Sequence, residues 1–206
     1  VIYRGLGLDS VRSIGTENMS VGITKGSDIH KQKTIGKSIV VYGMGLHTGV
    51  KTGMILLPMP ENTGIVFEHI PDGERIPAYI DYVFSVGYAS SLKGKNCLVR
   101  TIEHLLATCH MYGITNLLIK VSEEVPILDG SSIEICKKID EAGIVEQSDG
   151  IKPLRLNEPI ILNGFSDGKY LAIEPCEGFE IDYTLEHPRP IGLQHYHFYG
   201  SKDNFI

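Results

Sequence analysis

Glu103 and His104 are adjacent residues whose types could take part directly in chemistry. They lie just inside the start of a predicted helix, where backbone N–H groups and the helix dipole favour a carboxylate. An imidazole can bind a metal ion, and the neighbouring carboxylate can act as a general base. A zincin helix carries a second histidine one turn away, whereas this helix does not. Taken alone, the pair is more typical of a solvated helix start than of a site, so any chemistry needs further residues.

The other histidines are weaker candidates, and each has a plain structural interpretation. His47 lies in the glycine-rich residues 43–49, which could approach a ligand closely or simply form a hairpin turn. His195 and His197 alternate on one strand face and could chelate a metal. Their neighbours in sequence include no third ligand, so a solvated face is favoured. His187 precedes a proline and fits either a site or a turn.

Composition and charge narrow the class of protein. The chain has 206 residues, of which 42% are hydrophobic and 21% charged, so it can bury an ordinary core. Its net charge of -6 argues against nucleic-acid binding, because phosphate contacts need concentrated Lys and Arg. No apolar stretch is long enough to span a membrane, so we expect at most transient contact with a membrane surface.

The number and spacing of the cysteines indicate the cellular compartment in which the protein works. The chain has four, far apart and without metal or redox spacing, which favours the reducing cytoplasm. Cys109 and Cys136 fall on apolar faces of predicted helices and are expected to be buried. We expect the protein to be a monomer.

Periodicity predicts the elements that must position these residues. Strands are predicted at residues 38–43, 52–58, 64–70, 75–83 and 116–122, separated by Gly, Pro and Asn turn signals. Thr101 is predicted to be the N-cap of a helix that ends at Gly113. Residues 129–131 predict a turn, and a capping box from Ser131 to Glu134 predicts a second helix, ending at Gly143. This order predicts an α+β fold in which a sheet and helices form two layers.

Changes in composition predict the domain organisation. Residues 1–31 are rich in Gly and polar residues without a sustained period, which indicates a linker or a remnant of something upstream. Residues 32–149 form the predicted N-terminal domain, with its boundary at residues 148–150. Residues 150–206 carry predicted strands at 154–162, 169–175, 179–186 and 195–199, without a convincing helix. Because a sheet needs a covering layer, we expect this second domain to be incomplete.

Several motifs follow one another in a specific order. They are Gly-Leu-His-Thr-Gly at residues 45–49, Asn-Thr-Gly-Ile-Val-Phe at 62–67, Thr-Ile-Glu-His-Leu-Leu-Ala at 101–107, Gly-Ile-Thr-Asn at 113–116, Pro-Ile-Leu-Asp-Gly-Ser at 126–131 and His-Pro at 187–188. From about Gln32 to the C-terminus, this ordered set resembles the UDP-3-O-acyl-N-acetylglucosamine deacetylases, the zinc enzymes of lipid A synthesis. The resemblance implies two similar α+β domains with their helices sandwiched between the sheets.

The resemblance also implies a reaction and a set of roles. Water activated by Zn²⁺ attacks the acetamide of an acylated UDP-sugar, and acetate leaves to expose the 2-amine. By motif, His104 matches a zinc ligand and Glu103 the general base. His47 matches the histidine of the family's Gly-Leu-His motif and is expected to bind substrate or support the site. The expected cofactor is Zn²⁺, and the expected partner is a UDP-sugar that carries an acyl chain.

The sequence departs from the family's pattern at places that matter for activity. The family's other two zinc ligands come from a His-Lys-x-x-Asp motif, which the 206 residues do not contain. Catalytic zinc normally has three protein ligands, so we expect weak zinc binding at His104 and negligible turnover from a truncated or short copy. Thr115 replaces a usual Asp, and Ser132 a usual Ala. Two alternatives are a non-catalytic binding or regulatory module derived from the fold and an unrelated metal enzyme that uses His195 and His197.

Overall fold

A computed structural model of the protein describes residues 30–151, 156–162 and 169–206. The predicted linker at residues 1–31 therefore lies outside the described residues, apart from its last two. The chain divides into two compact units, and the described residues of the first are His30–Ile151 and Ile206. The second unit includes residues from Lys152 to Phe205.

The first unit contains ten strands and two α-helices among its described residues. The strands are β1 (Lys31–Ile35), β2 (Ile39–Met44), β3 (Lys51–Pro58), β4 (Ile65–His69), β5 (Arg75–Pro77), β6 (Val83–Ser85), β7 (Ser91–Lys93), β8 (Leu98–Arg100), β9 (Leu117–Val121) and β10 (Ile144–Gly150). The helices are α1 (Glu103–Tyr112) and α2 (Ile133–Ala142).

A five-stranded sheet in the order β2-β3-β9-β4-β5 forms the centre of this unit. β4 pairs with β9 in parallel, and the other neighbours pair antiparallel. Successive side chains on a strand point to opposite faces, so β2 buries Ile39 and Val41 while Val40 and Tyr42 are exposed. The buried face of the sheet therefore forms one side of the core.

The two helices supply the other side of the core and confirm the predicted α+β fold. α1 buries Leu105, Thr108, Cys109 and Tyr112, and α2 buries Ile135, Cys136, Ile139 and Ala142. The Tyr112 hydroxyl donates to the Cys136 carbonyl at 3.2 Å. Gly113 ends α1 in the left-handed region at φ 67°, as predicted. Cys109 and Cys136 are buried, which confirms the expectation from their helical faces.

Two smaller sheets contain elements that the sequence pattern did not predict. β1 pairs with β10, so residues 148–150, predicted as a boundary turn, belong to a strand. Polar Gln32 and Thr34 are buried in β1, so the sequence of this strand lacks the alternation of apolar and polar residues that would predict it. Hydrogen bonds compensate for the burial of these side chains. Gln32, for example, bonds to Asn62 and Asn116.

The predicted strand at residues 75–83 is also interrupted. β5 ends at Pro77, which lacks an N–H for further pairing, and a 3-10 helix at Ile80–Tyr82 separates it from β6. β6, β7 and β8 form a three-stranded sheet of their own.

The second unit consists of two hairpins and a short helix within its described residues. β11 (Ile160–Leu162) pairs with β12 (Leu171–Ile173), and β13 (Glu180–Glu186) pairs with β14 (Leu193–Tyr199). All four strands were predicted, although residues 154–155 lie outside the described part of the chain. The four-residue helix α3 (Lys202–Phe205) was not predicted. Phe198 is buried between the rings of Phe179 and Phe205, at centroid distances of 6.5 and 6.4 Å.

Candidate active site

Glu103 and His104 lie in the first turn of α1, and both are half-buried. The backbone N–H of Ser90 donates to Glu103 Oε2 at 3.0 Å, which fixes the carboxylate against the segment before β7. The His104 carbonyl accepts from the Thr108 hydroxyl at 2.9 Å and from the Ser132 hydroxyl at 3.4 Å. Within the described residues, the His104 imidazole makes no hydrogen bond or ion pair. Hydrogen bonds therefore hold the carboxylate of Glu103 and the backbone of His104 in place.

A buried carboxylate, Glu124, organises the residues that lead into α1. Its side chain is 1% exposed. Glu124 Oε1 accepts from the His47 N–H at 2.9 Å and from the Thr101 hydroxyl at 2.8 Å. Its Oε2 accepts from the N–H and the hydroxyl of Thr48, at 2.9 and 2.7 Å. One side chain thus ties residues 45–49 to the approach to α1.

These hydrogen bonds keep Glu124 ionised. Burial by itself would raise its pKa, because the charged form loses solvation. Hydrogen bonds from His47, Thr48 and Thr101 outweigh burial and lower the pKa of Glu124 to about 2. A carboxylate with four donors and so low a pKa is a structural anchor rather than a catalytic base.

The packing around Glu124 constrains which residues can occupy two neighbouring positions, 45 and 101. A Cβ at Gly45 would collide with the Glu124 carboxylate and the Thr48 hydroxyl, so this position needs glycine. Thr101 adopts φ 58°, an unusual conformation for a β-branched residue, and directs its hydroxyl to Glu124. The prediction of Thr101 as an N-cap is therefore wrong: α1 begins at Glu103, with Ile102 at the N-cap and no side-chain cap.

His47 is held by its backbone, and its side chain is exposed. Residues 45–49 form the turn between β2 and β3, in which the Gly49 N–H donates to the Gly45 carbonyl at 3.0 Å. The interpretation as a hairpin turn is confirmed for residues 45–49, whereas Gly43 and Met44 belong to β2. A substrate-binding or supporting role for His47 stays a prediction.

The second predicted helix start forms beside this turn. The Ile127 N–H donates to the Met44 carbonyl at 3.0 Å, which joins residues 126–131 to the end of β2. Asp129 accepts from the N–H and hydroxyl of Ser131, confirming the predicted turn, and these bonds lower the pKa of Asp129. Ser131 is not the N-cap, because Ser132 occupies that position without a side-chain cap. The Ser131 Oγ nevertheless accepts from the Ile133 N–H at 3.2 Å.

Thr115 and Asn116 anchor the end of the α1–β9 connection. Thr115 Oγ1 accepts from the Lys33 N–H at 2.9 Å, and Asn116 Oδ1 accepts from the Gly64 N–H at 2.9 Å. The Asn116 amide nitrogen donates to Gln147 Oε1 at 2.7 Å. The Thr115 hydroxyl thus takes part in the hydrogen bonding of this turn.

A zinc ion would find one ligand at His104. Glu103 beside it offers a carboxylate for proton transfer. The described residues bring no further pair of ligands to His104: the cluster of three potential metal ligands among them is His69, Asp72 and Cys97. Because catalytic zinc normally has three protein ligands, the donor set at His104 fits one coordination position and not a complete site.

The histidines of β14 contact carboxylates on the neighbouring strand. His195 Nε2 and His197 Nδ1 lie 3.0 and 3.2 Å from the carboxylate of Asp182, and His197 Nε2 lies 3.3 Å from Glu180 Oε2. Hydrogen bonds with His195 and His197 lower the pKa of Asp182. A solvated face was expected, and the side chains of His195 and Asp182 are 56% and 61% exposed. The pairing of β13 with β14 thus brings the Asp182 carboxylate to these histidines, a contact that the local sequence did not predict.

His187 lies in the loop between β13 and β14, where its N–H donates to the Gly192 carbonyl at 3.0 Å. A turn is thus what the structure shows at this position.

Among the described residues, no helix has the length and apolar character needed to cross a membrane.

Comparisons with known proteins agree with the ordered motifs. The family model for UDP-3-O-acyl N-acetylglycosamine deacetylase matches residues 32–206. The UDP-3-O-acyl-N-acetylglucosamine deacetylase of a Nitratiruptor species is 40% identical over 179 residues, which cover 85% of this chain and 59% of the relative. The deacetylase of Wolinella succinogenes is 41% identical over 171 residues, covering 82% and 56%. That of Helicobacter pylori (strain J99) is 37% identical over 174 residues, covering 84% and 58%.

The chain therefore spans a little under three fifths of the length of these curated relatives. The family predicted from the order of the motifs is confirmed. This chain belongs to the UDP-3-O-acyl-N-acetylglucosamine deacetylase family.

Proposed function

We propose that Glu103 and His104 serve in zinc-dependent hydrolysis of the acetamide of UDP-3-O-acyl-N-acetylglucosamine, which releases acetate in the cytoplasmic synthesis of lipid A. The observation that supports this proposal most is the placement of a carboxylate and an imidazole on the first turn of α1. The family of the chain supplies the substrate class, because its relatives carry that name.

Each residue of the pair would have a separate task. His104 would hold Zn²⁺ through one imidazole nitrogen, and the metal, when bound, would polarise the acetamide carbonyl and acidify a water molecule. Glu103 would accept the proton of the attacking water as a general base. Since the Ser90 N–H occupies Oε2, Oε1 is the oxygen of Glu103 that we expect to receive that proton.

Glu124 and His47 would support this pair from the neighbouring turn. Glu124 joins the backbone of His47 to Thr101, two residues before Glu103, so it would keep the turn and the helix start in register. The exposed His47 side chain would then extend toward the substrate from a fixed backbone. In this scheme Glu124 positions other groups and does not contact the reacting atoms.

A chimaera tests the assignment of His104. This chain replaces the matching 179 residues of the Nitratiruptor deacetylase, and zinc content and acetate release are measured. We expect the chimaera to be active. Substitution of residues that only hydrogen-bond to a metal ligand typically weakens metal binding by roughly 10- to 100-fold. We expect His104→Ala, which removes a ligand itself, to weaken zinc binding by more than this. The 206-residue chain alone should show negligible turnover, because it contains no His-Lys-x-x-Asp motif.

The matched control removes imidazoles elsewhere in the chain. A double variant, His195→Ala with His197→Ala, should leave the chimaera's zinc content and rate unchanged. The proposal fails if this double variant loses zinc while His104→Ala keeps it. A chimaera that folds and binds a partner, but has no zinc and no activity, would instead support the alternative of a non-catalytic binding module.

A further inference from the structure

His69, Asp72 and Cys97 lie together at the meeting of two hairpin turns, in the first unit but outside α1. The potential ligand atoms are a His69 ring nitrogen, an Asp72 carboxylate oxygen and Cys97 Sγ, and all lie within 4.8 Å of one another. We propose that these three residues form a second metal site, separate from Glu103 and His104, that binds a divalent cation of the zinc type and links the two hairpins.

The β4–β5 turn already holds two of the three ligands side by side. His69 Nδ1 and Asp72 Oδ1 are 2.8 Å apart. The Gly73 N–H donates to the His69 carbonyl at 2.7 Å, and the His69 N–H donates to the Glu74 carbonyl at 2.9 Å. Asp72 Oδ1 also accepts from the Glu74 N–H at 3.0 Å. The loop geometry that places nitrogen and oxygen together is therefore fixed by its own backbone.

The β7–β8 turn brings the third ligand. Cys97 is buried, and its carbonyl accepts from the Gly94 N–H at 2.9 Å. A Cβ at Gly94 would lie 2.5 Å from Glu74 Oε1 and 3.1 Å from the Cys97 sulfur, so this position needs glycine. The Glu74 carboxylate accepts from the N–H groups of Lys95 and Asn96, the latter at 2.9 Å, and so joins this turn to the first.

The ligand set matches the preferences of zinc. Zinc takes thiolate, imidazole and carboxylate ligands at about 2.0–2.3 Å in a tetrahedral arrangement, so its ligand atoms lie roughly 3.3–3.8 Å apart. To reach that geometry, the 2.8 Å contact between His69 Nδ1 and Asp72 Oδ1 would have to open by roughly 0.5 Å, and Cys97 Sγ, which lies within 4.8 Å of both, would have to come within the same range. Asp72 can supply the movement, because its side chain is 43% exposed. These residues supply three ligands, so water would fill the fourth position.

Binding would exchange bonds without a change of oxidation state. The Cys97 S–H bond breaks, its proton leaves to solvent, and a sulfur–metal bond forms. The contact between His69 and Asp72 is replaced by one bond from each to the metal.

Cobalt titration of the 206-residue protein under reducing conditions tests the site. Co²⁺ is spectroscopically visible, and a thiolate ligand gives a near-ultraviolet sulfur-to-cobalt charge-transfer band that nitrogen and oxygen ligands alone do not give. We expect the band to saturate at one equivalent and to disappear when Zn²⁺ displaces Co²⁺. Cys97→Ser should abolish it, and His69→Ala or Asp72→Asn should weaken Co²⁺ binding by at least about tenfold.

Two variants serve as matched controls. Cys176→Ser removes an exposed thiol, and His104→Ala removes the proposed catalytic ligand; both should keep the band. The proposal is overturned if the band is missing in the unaltered protein, survives in Cys97→Ser, or vanishes in Cys176→Ser. If Cys97→Ser does not fold, the exposed Asp72→Asn variant decides, and an unchanged Co²⁺ affinity there rejects the site.

Discussion

Glu124 and Asp182 are both carboxylates that join segments carrying histidines, yet their surroundings differ. Glu124 is 1% exposed, and its donors are backbone N–H groups and hydroxyls. The Asp182 side chain is 61% exposed, and its partners are two imidazoles on the neighbouring strand. By residue type alone, the Asp182 cluster looks more like a metal site than the surroundings of Glu124 do.

Suitable residue types surround both carboxylates, but we expect only the buried Glu124 to control the geometry of its neighbours. Exposed ion pairs contribute little, because solvent screens the charges and long side chains lose entropy on pairing. A buried carboxylate is different, since its removal leaves donors without partners and without water. We therefore expect Glu124 to control the approach to Glu103 and His104, and Asp182 to have little influence on its hairpin.

The largest effect should come from Glu124→Gln. The amide keeps one acceptor oxygen but turns an NH₂ group toward the donors of Thr48 or Thr101, so we expect a loss of about 3 kcal/mol in the free energy of unfolding. Urea unfolding followed by circular dichroism measures it. A loss below about 1 kcal/mol would contradict the role of Glu124 as an anchor.

Acid should reproduce much of this loss. The ordinary pKa of glutamate is 4.5, and that of Glu124 in the folded protein is about 2. Its contribution is fully present above the unfolded value and disappears as the pH falls from about 5 toward 2, which amounts to roughly 3 kcal/mol. Unfolding free energies across this range should fall less steeply in Glu124→Gln than in the unaltered protein. Parallel curves would contradict the low pKa.

A smaller effect is expected from Gly45→Ala. Its Cβ would strike Glu124 and Thr48, and such overpacking should cost about 1–3 kcal/mol in stability. Gly87→Ala is the control, because its Cβ would have Ser85 Oγ, at 3.9 Å, as its nearest neighbour. Thermal unfolding should separate the two variants; equal melting temperatures would show that the turn adapts without cost.

The smallest effect should come from Asp182→Asn. Its lowered pKa reflects hydrogen bonds with the exposed His195 and the half-buried His197, and the exposed Asp182 carboxylate can replace them with water. We expect the urea midpoint near neutral pH to stay within experimental error of that of the unaltered protein. A destabilisation comparable to that of Glu124→Gln would remove the distinction between the two carboxylates.

The sequence revealed features that depend on local periodicity. Leu105, Cys109 and Tyr112 recur at helical spacing, and Gly113 can adopt the left-handed conformation that ends a helix. These features need no distant partner, so α1 and its end were predictable. The ordered motifs then identified the family and pointed to Glu103 and His104.

Other features depend on residues that are distant in sequence. Thr101 resembles an N-cap, but its hydroxyl bonds to Glu124, 23 residues away. β1 buries polar Gln32, whose partner Asn116 lies 84 residues later. The contact of His195 with Asp182 depends on strand pairing, which shows only when the hairpin is formed. In each case a tertiary partner overrides the local pattern.

The most direct test of the account is the turnover number of the chimaera with Glu103→Gln, compared with Glu134→Gln. Both glutamates lie in the first turn of a helix, but Glu134 is exposed at the start of α2. Loss of a general base should lower kcat by about 10²- to 10⁴-fold in Glu103→Gln, whereas Glu134→Gln should keep the full rate. An unchanged kcat in Glu103→Gln, or an equal loss in both variants, would contradict the assignment of Glu103 as the base.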